Sequence, residues 1–228
     1  MNKQTSRAAL TTGQAVTLVG GGALDDRDLE TAMALAPVLA AADSGAGALL
    51  ARGHMPEAVF GDFDSIAESD AARIPPGRLF RIEEQDSTDF HKALSRIEAP
   101  LVLAVGFLGA RVDHQLAVLN TLVQVNRPPC LLLGPHEVIF HLPPAFALDM
   151  AAGETVSLFP LLPVAGRSEG LEWPIDGLAF APGGQIGTSN RALGPVRIEM
   201  EGPGMIALLP RRHVEGVIAA LTLPGDGA

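Results

Sequence analysis

The feature that most constrains this chain is a change of rhythm at Pro143-Pro144. Before it, short β-like runs alternate with stretches of helical period; after it, short β-like runs continue alone until the tail. Strand-helix-strand alternation feeds a mostly parallel sheet, because parallel neighbours need a crossover that a helix fills. Residues 16–19 form a β-rich run ending in Gly20-Gly21-Gly22, with Asp25 and Asp26 as N-caps for a helix to about Leu35. Pro37 stops that helix, and 38–42 reads as the next strand. A short helix over 46–51 and strands over 58–60 and 79–82 follow. Residues 88–97 read as a helix with Phe90, Ala93, Leu94 and Ile97 on one stripe. The run 101–105 is continuously apolar, as strands buried on both faces are. Residues 113–125 then give a long helix with Leu116, Leu119, Leu122 and Val123 inward.

Beyond the prolines, runs at 155–159, 178–181, 196–200 and 205–209 are separated by Gly-, Pro- and Asn-rich turns, the pattern of a small antiparallel β-domain. The tail over 211–223 fits a docking helix or a last strand. The fold class expected is therefore α/β. It joins a mostly parallel, Rossmann-like sheet domain over 1–142 to an all-β domain over 145–228.

The formal net charge of −10 argues against nucleic acid or an anionic membrane as partner, since both demand a basic face. Apolar runs such as 101–105 fall far short of the about 20 residues that span a bilayer. Lys3 and Arg7 precede no apolar segment of the signal-peptide kind, and Cys130, the single cysteine, stands in the apolar run Cys130-Leu131-Leu132-Leu133 as a structural thiol. A cytoplasmic protein is expected.

In an open α/β sheet, ligands bind beyond the carboxyl ends of the strands. In this chain Gly20–Gly22 follow the first strand, Asp43-Ser44-Gly45 the second and Gly61-Asp62-Phe63-Asp64-Ser65 the third. Gln85-Asp86-Ser87-Thr88-Asp89 follows the fourth and opens a helix, and 106–113 follows the fifth. Asp43, Asp62, Asp64, Asp86 and Asp89 thus converge on one edge, where like charges raise one another's pKa and cost stability. A hard divalent cation removes that conflict; Mg²⁺ takes oxygen ligands and bridges carboxylates to nucleotide phosphates. Taken singly, each aspartate also suits a turn or a cap. Gly21, Gly22, Gly45 and Gly109 let backbone amides approach phosphate oxygens, although a triple glycine after a strand is equally a plain turn. Lys92, one helical turn after Asp89, either grounds a phosphate or pairs with Asp89. Arg111 and Asp113 stand close enough to grip a nucleotide together or to pair in an exposed loop, and His114 either meets the ligand or caps its helix. No Walker GxxxxGK[ST], GxGxxG, HRD or DFG motif is present.

In order, these residues resemble the motifs of the thiamine pyrophosphokinases. Ala42-Asp43-Ser44-Gly45-Ala46 is similar to the family's A-D-G-G-A, and Gly61-Asp62-Phe63-Asp64-Ser65-Ile66 matches G-D-F-D-S-[IL] outright. The segment 85–94 resembles D-x-T-D-x-x-K-A-L, and 106–114 resembles G-x-x-G-G-R-x-D-H. Gly170-Leu171-Glu172-Trp173-Pro174 and Gly187-Thr188-Ser189-Asn190 resemble G-L-x-[YW]-P and G-T-S-N. Ser44, Gly47 and Ala110 depart from the pattern, each small enough to keep backbone approach feasible.

The resemblance implies an N-terminal α/β domain joined to a C-terminal β-sandwich, in a homodimer with active sites at the subunit interface. It implies transfer of a pyrophosphoryl group from ATP to the hydroxyl of thiamine, giving thiamine diphosphate and AMP. By it, Asp62, Asp64, Asp86 and Asp89 hold Mg²⁺ and the phosphates, with Asp62, Asp64 and Asp89 catalytic and Asp89 the group that orients or deprotonates the hydroxyl. Gly21, Gly22, Asp43, Ser44, Gly45, Thr88, Lys92, Arg111, Asp113 and His114 bind ATP. Gln85, Trp173, Ser189 and Asn190 line the thiamine pocket. Trp173 is the only Trp and there is no Tyr, so few side chains offer an aromatic face to a flat cation. Trp173 also suits plain packing, and Ser189-Asn190 a plain turn. Two other readings share the scaffold: a pyrophosphokinase on another alcohol such as a hydroxymethyl pterin, and a non-catalytic nucleotide or thiamine diphosphate sensor.

Overall fold

Strand formation begins where β-branched and aliphatic residues cluster, and in the first half of the chain every strand so formed pairs in parallel. The computed structural model describes residues 8–84, 86–109 and 111–222. The chain divides into two units between Leu132 and Leu133. In the first unit the elements are β1 (Leu10–Thr11), β2 (Val16–Val19), α1 (Asp26–Leu35), β3 (Val38–Ala42), α2 (Gly45–Ala51), β4 (Ala58–Gly61), α3 (Glu68–Ala71) and β5 (Leu79–Arg81). After these come α4 (Asp89–Leu94), β6 (Ile97–Glu98), β7 (Val102–Val105), α5 (Val112–Gln124) and β8 (Cys130–Leu133). β2, β7 and β8 form one parallel run, β3, β4 and β5 another, and β1 pairs with β6. Between β2 and β3 the ladder reduces to a single antiparallel bridge, Val16 to Pro37, because Pro37 has no amide to donate. The Thr17 hydroxyl helps to close this seam by donating to the Ala36 carbonyl at 2.6 Å.

Asp25 caps α1, accepting from the Arg27 amide, as the sequence led one to expect. Leu18, Leu49, Phe60, Leu94, Leu103 and Leu131 are fully buried, so the continuous apolar runs are covered on both faces. Two sequence expectations are corrected here. α4 ends at Leu94, and Ile97 lies in β6 instead, because the Arg96 carbonyl accepts from the amides of Ala9 and Leu10 and draws the chain into pairing with β1. On α5 the buried residues are Val118, Thr121 and Leu122, while Leu116 is 61% exposed. Leu116 precedes Val118 by two residues, about 200° around the helix, and so faces outward.

The strands of the second unit pair antiparallel, with one isolated parallel bridge between Phe180 and Gln185. It comprises β9 (Glu137–His141), β10 (Ala145–Leu148), β11 (Thr155–Pro160), β12 (Val164–Leu171), β13 (Ala179–Phe180), β14 (Gly187–Met200) and β15 (Met205–Pro210). A 3₁₀ turn (Arg211–His213) leads into α6 (Val214–Thr222), so the tail is the helix of the two alternatives. β14 organises the unit: its first half pairs with β11 and its second half lies between β10 and β12. β15 joins β11 to β9 through Ile206 opposite His141 and the pairs that follow. That pairing carries 137–141 into the second unit, so the division falls before the prolines. Glu154 anchors the tail, accepting from Arg212 Nε at 2.7 Å and lying 2.8 Å from His213 Nε2.

Strand pairing in the molecule is thus mixed, parallel in one unit and antiparallel in the other. The single, mostly parallel Rossmann-like sheet expected from the alternation is corrected accordingly, since the Pro37 seam splits its strands into two runs. Among the described residues, no helix is long and apolar enough to cross a membrane.

Candidate active site

The loops leaving β2, β3 and β7 approach one another closely, and glycine is what permits it. A Cβ on Gly20 would lie 2.6 Å from the Gly106 carbonyl oxygen, and one on Gly45 would lie 2.1 Å from that of Val19. Both distances are closer than side-chain carbons come, so these glycines hold the loop ends together rather than merely loosening them. Ser44 packs its hydroxyl against Gly21, filling the space a side chain there would need. Gly21 and Gly22 remain exposed, with the Gly22 amide spent on the Gly106 carbonyl at 2.8 Å.

Beside this junction stand three carboxylates. Asp43, Asp62 and Asp64 each offer an oxygen, all within 4.8 Å of one another. Asp43 follows β3 in a left-handed conformation, φ +46°, which Asp tolerates better than most residues, and its amide donates to the Phe60 carbonyl at 2.7 Å. Phe63, between the other two, adopts φ +68°, a costly conformation for a bulky residue and one that collects at ligand clamps. Asp43 is only 5% exposed, and its Oδ1 has no hydrogen-bond partner. Burial, reinforced by the charges of Asp89 and Asp64, holds its carboxyl above the usual carboxylate range, while the Ser44 amide and the Ser65 hydroxyl pull the other way. A buried acceptor left unmatched amid like charges costs free energy. This donor set of hard, crowded oxygens fits a divalent cation such as Mg²⁺.

Lys92 lies against the group from α4. It is 2% exposed, and its Nζ sits 3.3 Å from Asp62 Oδ2 and 3.2 Å from Asp89 Oδ1. Burial works against its charge, but the bonds from Asp89 and Asp62 outweigh it and hold the ammonium above its ordinary pKa. Of the two readings of Lys92, the structure shows the pairing with Asp89, and it adds a second partner in Asp62. Thr88 caps α4 by accepting from the His91 amide. Asp86 is exposed and lies outside the three-carboxylate group; with Thr88, His91 and Thr121 it lines an open cleft of about 350 Å³. Arg111 and Asp113 pair with each other, Arg111 donating from Nε at 3.2 Å and from Nη2 at 2.6 Å, both side chains exposed. The pairing depresses the Asp113 pKa and raises that of Arg111. His114 stands exposed in the first turn of α5.

The other expected site residues belong to the second unit, apart from Gln85, which lies outside the described residues. Trp173 is 53% exposed. Asn190, buried at the start of β14, holds the Trp173 backbone at both ends: its Oδ1 accepts from the Trp173 amide at 3.1 Å and its Nδ2 donates to the Trp173 carbonyl at 2.6 Å. Ser189 adopts φ +61°, and its amide donates to the Ser157 hydroxyl at 3.0 Å. Sequence reasoning missed Arg191, whose guanidinium carbon lies 5.9 Å from the centroid of the Trp173 indole. Its place next to Asn190 in the Gly187–Asn190 motif was the available signal.

Two family models match this chain. One, described as "Thiamin pyrophosphokinase, catalytic domain", covers residues 29–132, and the other, "Thiamin pyrophosphokinase, vitamin B1 binding domain", covers 140–203. Thiamine pyrophosphokinase 1 of Oryza sativa subsp. japonica is 30% identical over 156 residues, spanning 60% of this chain and 59% of that protein. The chain thus covers about six tenths of the length of the curated relatives it matches. Among solved structures, yeast thiamin pyrophosphokinase superposes with TM-score 0.70 at 14% identity, over 96% of each chain. The Bacillus subtilis thiamine pyrophosphokinase superposes with TM-score 0.66 at 23% identity, over 86% of this chain and 98% of that one. These superpositions establish a shared fold.

Proposed function

The chain belongs to the thiamin pyrophosphokinase family, and on that premise we propose that it transfers the pyrophosphoryl group of ATP to the hydroxyl of thiamine, releasing AMP. The observation that carries the reading is the orphaned, buried Oδ1 of Asp43 beside Asp62 and Asp64. Asp43, Asp62 and Asp64 would hold a divalent ion, Mg²⁺ in this reading, which would supply charge neutralisation for the polyphosphate. Phosphoryl transfer asks chiefly for positioning and charge neutralisation, and the chain's own groups supply the rest. The thiamine hydroxyl oxygen forms a bond to the β-phosphorus of ATP. The bond from that phosphorus to the oxygen bridging toward the α-phosphorus breaks, and AMP departs with the electron pair. Asp89 receives the hydroxyl proton. One of its oxygens is engaged by Lys92, which fixes the carboxylate, and the side chain is open enough for the other to meet substrate. Lys92 draws Asp62 and Asp89 toward one point and carries positive charge to where the transferred group sits.

In the same reading Arg111 and Asp113 exchange their mutual pair for the nucleotide, and Gly21, Gly22, Ser44, Gly45, Thr88 and His114 complete its cradle. Asp86 is a further phosphate-side carboxylate. Trp173 offers its exposed face to thiamine, and Gln85 and Ser189 are assigned to the same substrate; Asn190 acts through Trp173, because its side chain is spent on that residue's backbone. The three pairing partners of β14, with β11 on its first half and β10 and β12 on its second, support a sandwich in the second unit. A homodimer is proposed on the strength of the exposed apolar side chains of Trp173 and Leu193, with the cytoplasm as compartment.

The test is AMP release from ATP with Mg²⁺, with and without thiamine, and the mass of the product. Thiamine-dependent AMP together with thiamine diphosphate is the expected result. ADP as product, or no nucleotide turnover, overturns the reading.

A further inference from the structure

One face of Trp173 already has an occupant. The Arg191 guanidinium carbon stands 5.9 Å from the indole centroid, within cation–π range. Arg191 Nη1 also lies 3.8 Å from Glu172 Oε2, so the cation rests between an aromatic face and a carboxylate. The backbone beneath is fixed at every point. The Glu172 amide donates to the Arg191 carbonyl at 2.8 Å, the Arg191 amide donates to Asn190 Oδ1 at 2.8 Å, and Asn190 binds both ends of Trp173. The frame is rigid, while the three side chains it carries are open to solvent and free to exchange partners.

An aromatic face and a carboxylate set side by side are what a flat organic cation requires. We propose that Arg191 is a built-in stand-in for such a ligand. It covers Trp173 in the free protein and leaves when a planar cation stacks there, and Glu172 turns its charge from Arg191 to the newcomer. This rests on the reading of thiamine as substrate, whose thiazolium ring is such a cation. Arg191 then sets specificity by competition: a ligand displaces it only by offering both a flat ring and a positive charge. An uncharged ring of the same shape would replace the stacking contact but leave Glu172 without its partner.

The substitutions have opposite expected signs, which separates competition from damage. Trp173 is the only Trp and the chain has no Tyr, so its fluorescence isolates this corner. Thiamine is titrated into the full-length protein, wild type and variants, while AMP release is followed in parallel. Arg191→Gln should tighten thiamine binding by about two- to fivefold, the worth of an exposed cation–π contact. Glu172→Gln should weaken binding by a comparable factor. Arg191→Lys, a cation without the planar fork, should fall between wild type and Arg191→Gln. Thiamine-dependent AMP with no tightening in Arg191→Gln overturns the role of Arg191 and leaves the enzymatic reading intact. Neither AMP nor a fluorescence response to thiamine in any variant overturns both.

Discussion

The corner at Asp43 and the corner at Trp173 each gather polar groups at the end of a strand, and they treat them in opposite ways. At Asp43 the carboxylates are brought together unmatched: Oδ1 of a nearly buried aspartate has no partner, two neighbouring carboxylates crowd it, and Asp43 and Phe63 both sit at positive φ. At Trp173 the buried polar group is matched at both its oxygen and its nitrogen. Asn190 accepts from two backbone amides and donates to one carbonyl, and what remains exposed is an apolar ring. The difference teaches where each unit stores its readiness. Electrostatic cost held in the first unit is released when opposite charge arrives, whereas a satisfied network in the second fixes the direction of a surface that acts by shape.

The comparison breaks most visibly at Asp89. Asp89→Asn should lower turnover by about 10²–10⁴-fold, the usual contribution of a positioned general base, with an unchanged circular dichroism spectrum. Near-normal turnover would take the proton elsewhere and reduce Asp89 to a partner of Lys92.

A smaller effect sharpens the claim that the Asp43 corner is under strain. Native burial makes Asp43 hold its proton more tightly than the unfolded chain does. Its contribution is therefore favourable at acid pH and is lost as pH rises through the native value, so at neutral pH the ionised group is a cost. Asp43→Asn keeps the shape, tolerates the positive φ and removes the charge. It should raise the Tm of the metal-free protein by a few degrees, on the order of 1 kcal/mol. Added Mg²⁺ should raise the Tm of the wild type and leave that of the variant nearly unmoved. A metal-free variant that melts below the wild type would show that Asp43 carries no stored cost.

The smallest effect is a control in the second unit. Burial lowers the pKa of His141, and its Nε2 accepts from the Gly204 amide at 2.9 Å, a bond that requires the neutral ring. The unfolded chain binds that proton more readily, so stability is complete above the ordinary histidine range and falls as pH drops through it. The slope from one group is at most about 1.4 kcal/mol per pH unit. Melting curves from pH 7 to pH 5 should lose less stability in His141→Gln than in the wild type; equal slopes would assign the acid sensitivity to other groups.

Much of this molecule was legible in the sequence, because local signals carried it. The alternation before Pro143-Pro144, the cap at Asp25, the stop at Pro37 and the aspartates after successive strands each depend on neighbours a few residues away, and each appears in place. The misreadings at Ile97 and Leu116 differ in cause: Ile97 is captured by pairing with β1, whereas Leu116 stays in the expected helix but on the face opposite Val118. β9, β10 and β12 escaped notice because their pattern is weak and their stability comes from β14 and β15, distant in sequence.

By itself the sequence determined which residues could carry the chemistry, since side-chain type and strand-end placement are local properties. Only the tertiary structure decided their partners: that Asp43 joins Asp62 and Asp64, that Lys92 reaches both Asp62 and Asp89, and that Arg191 lies over Trp173. Those contacts close across loops and strands whose separation along the chain says nothing of their distance in space, and an interaction energy depends on distance and surroundings in space, not on separation in sequence.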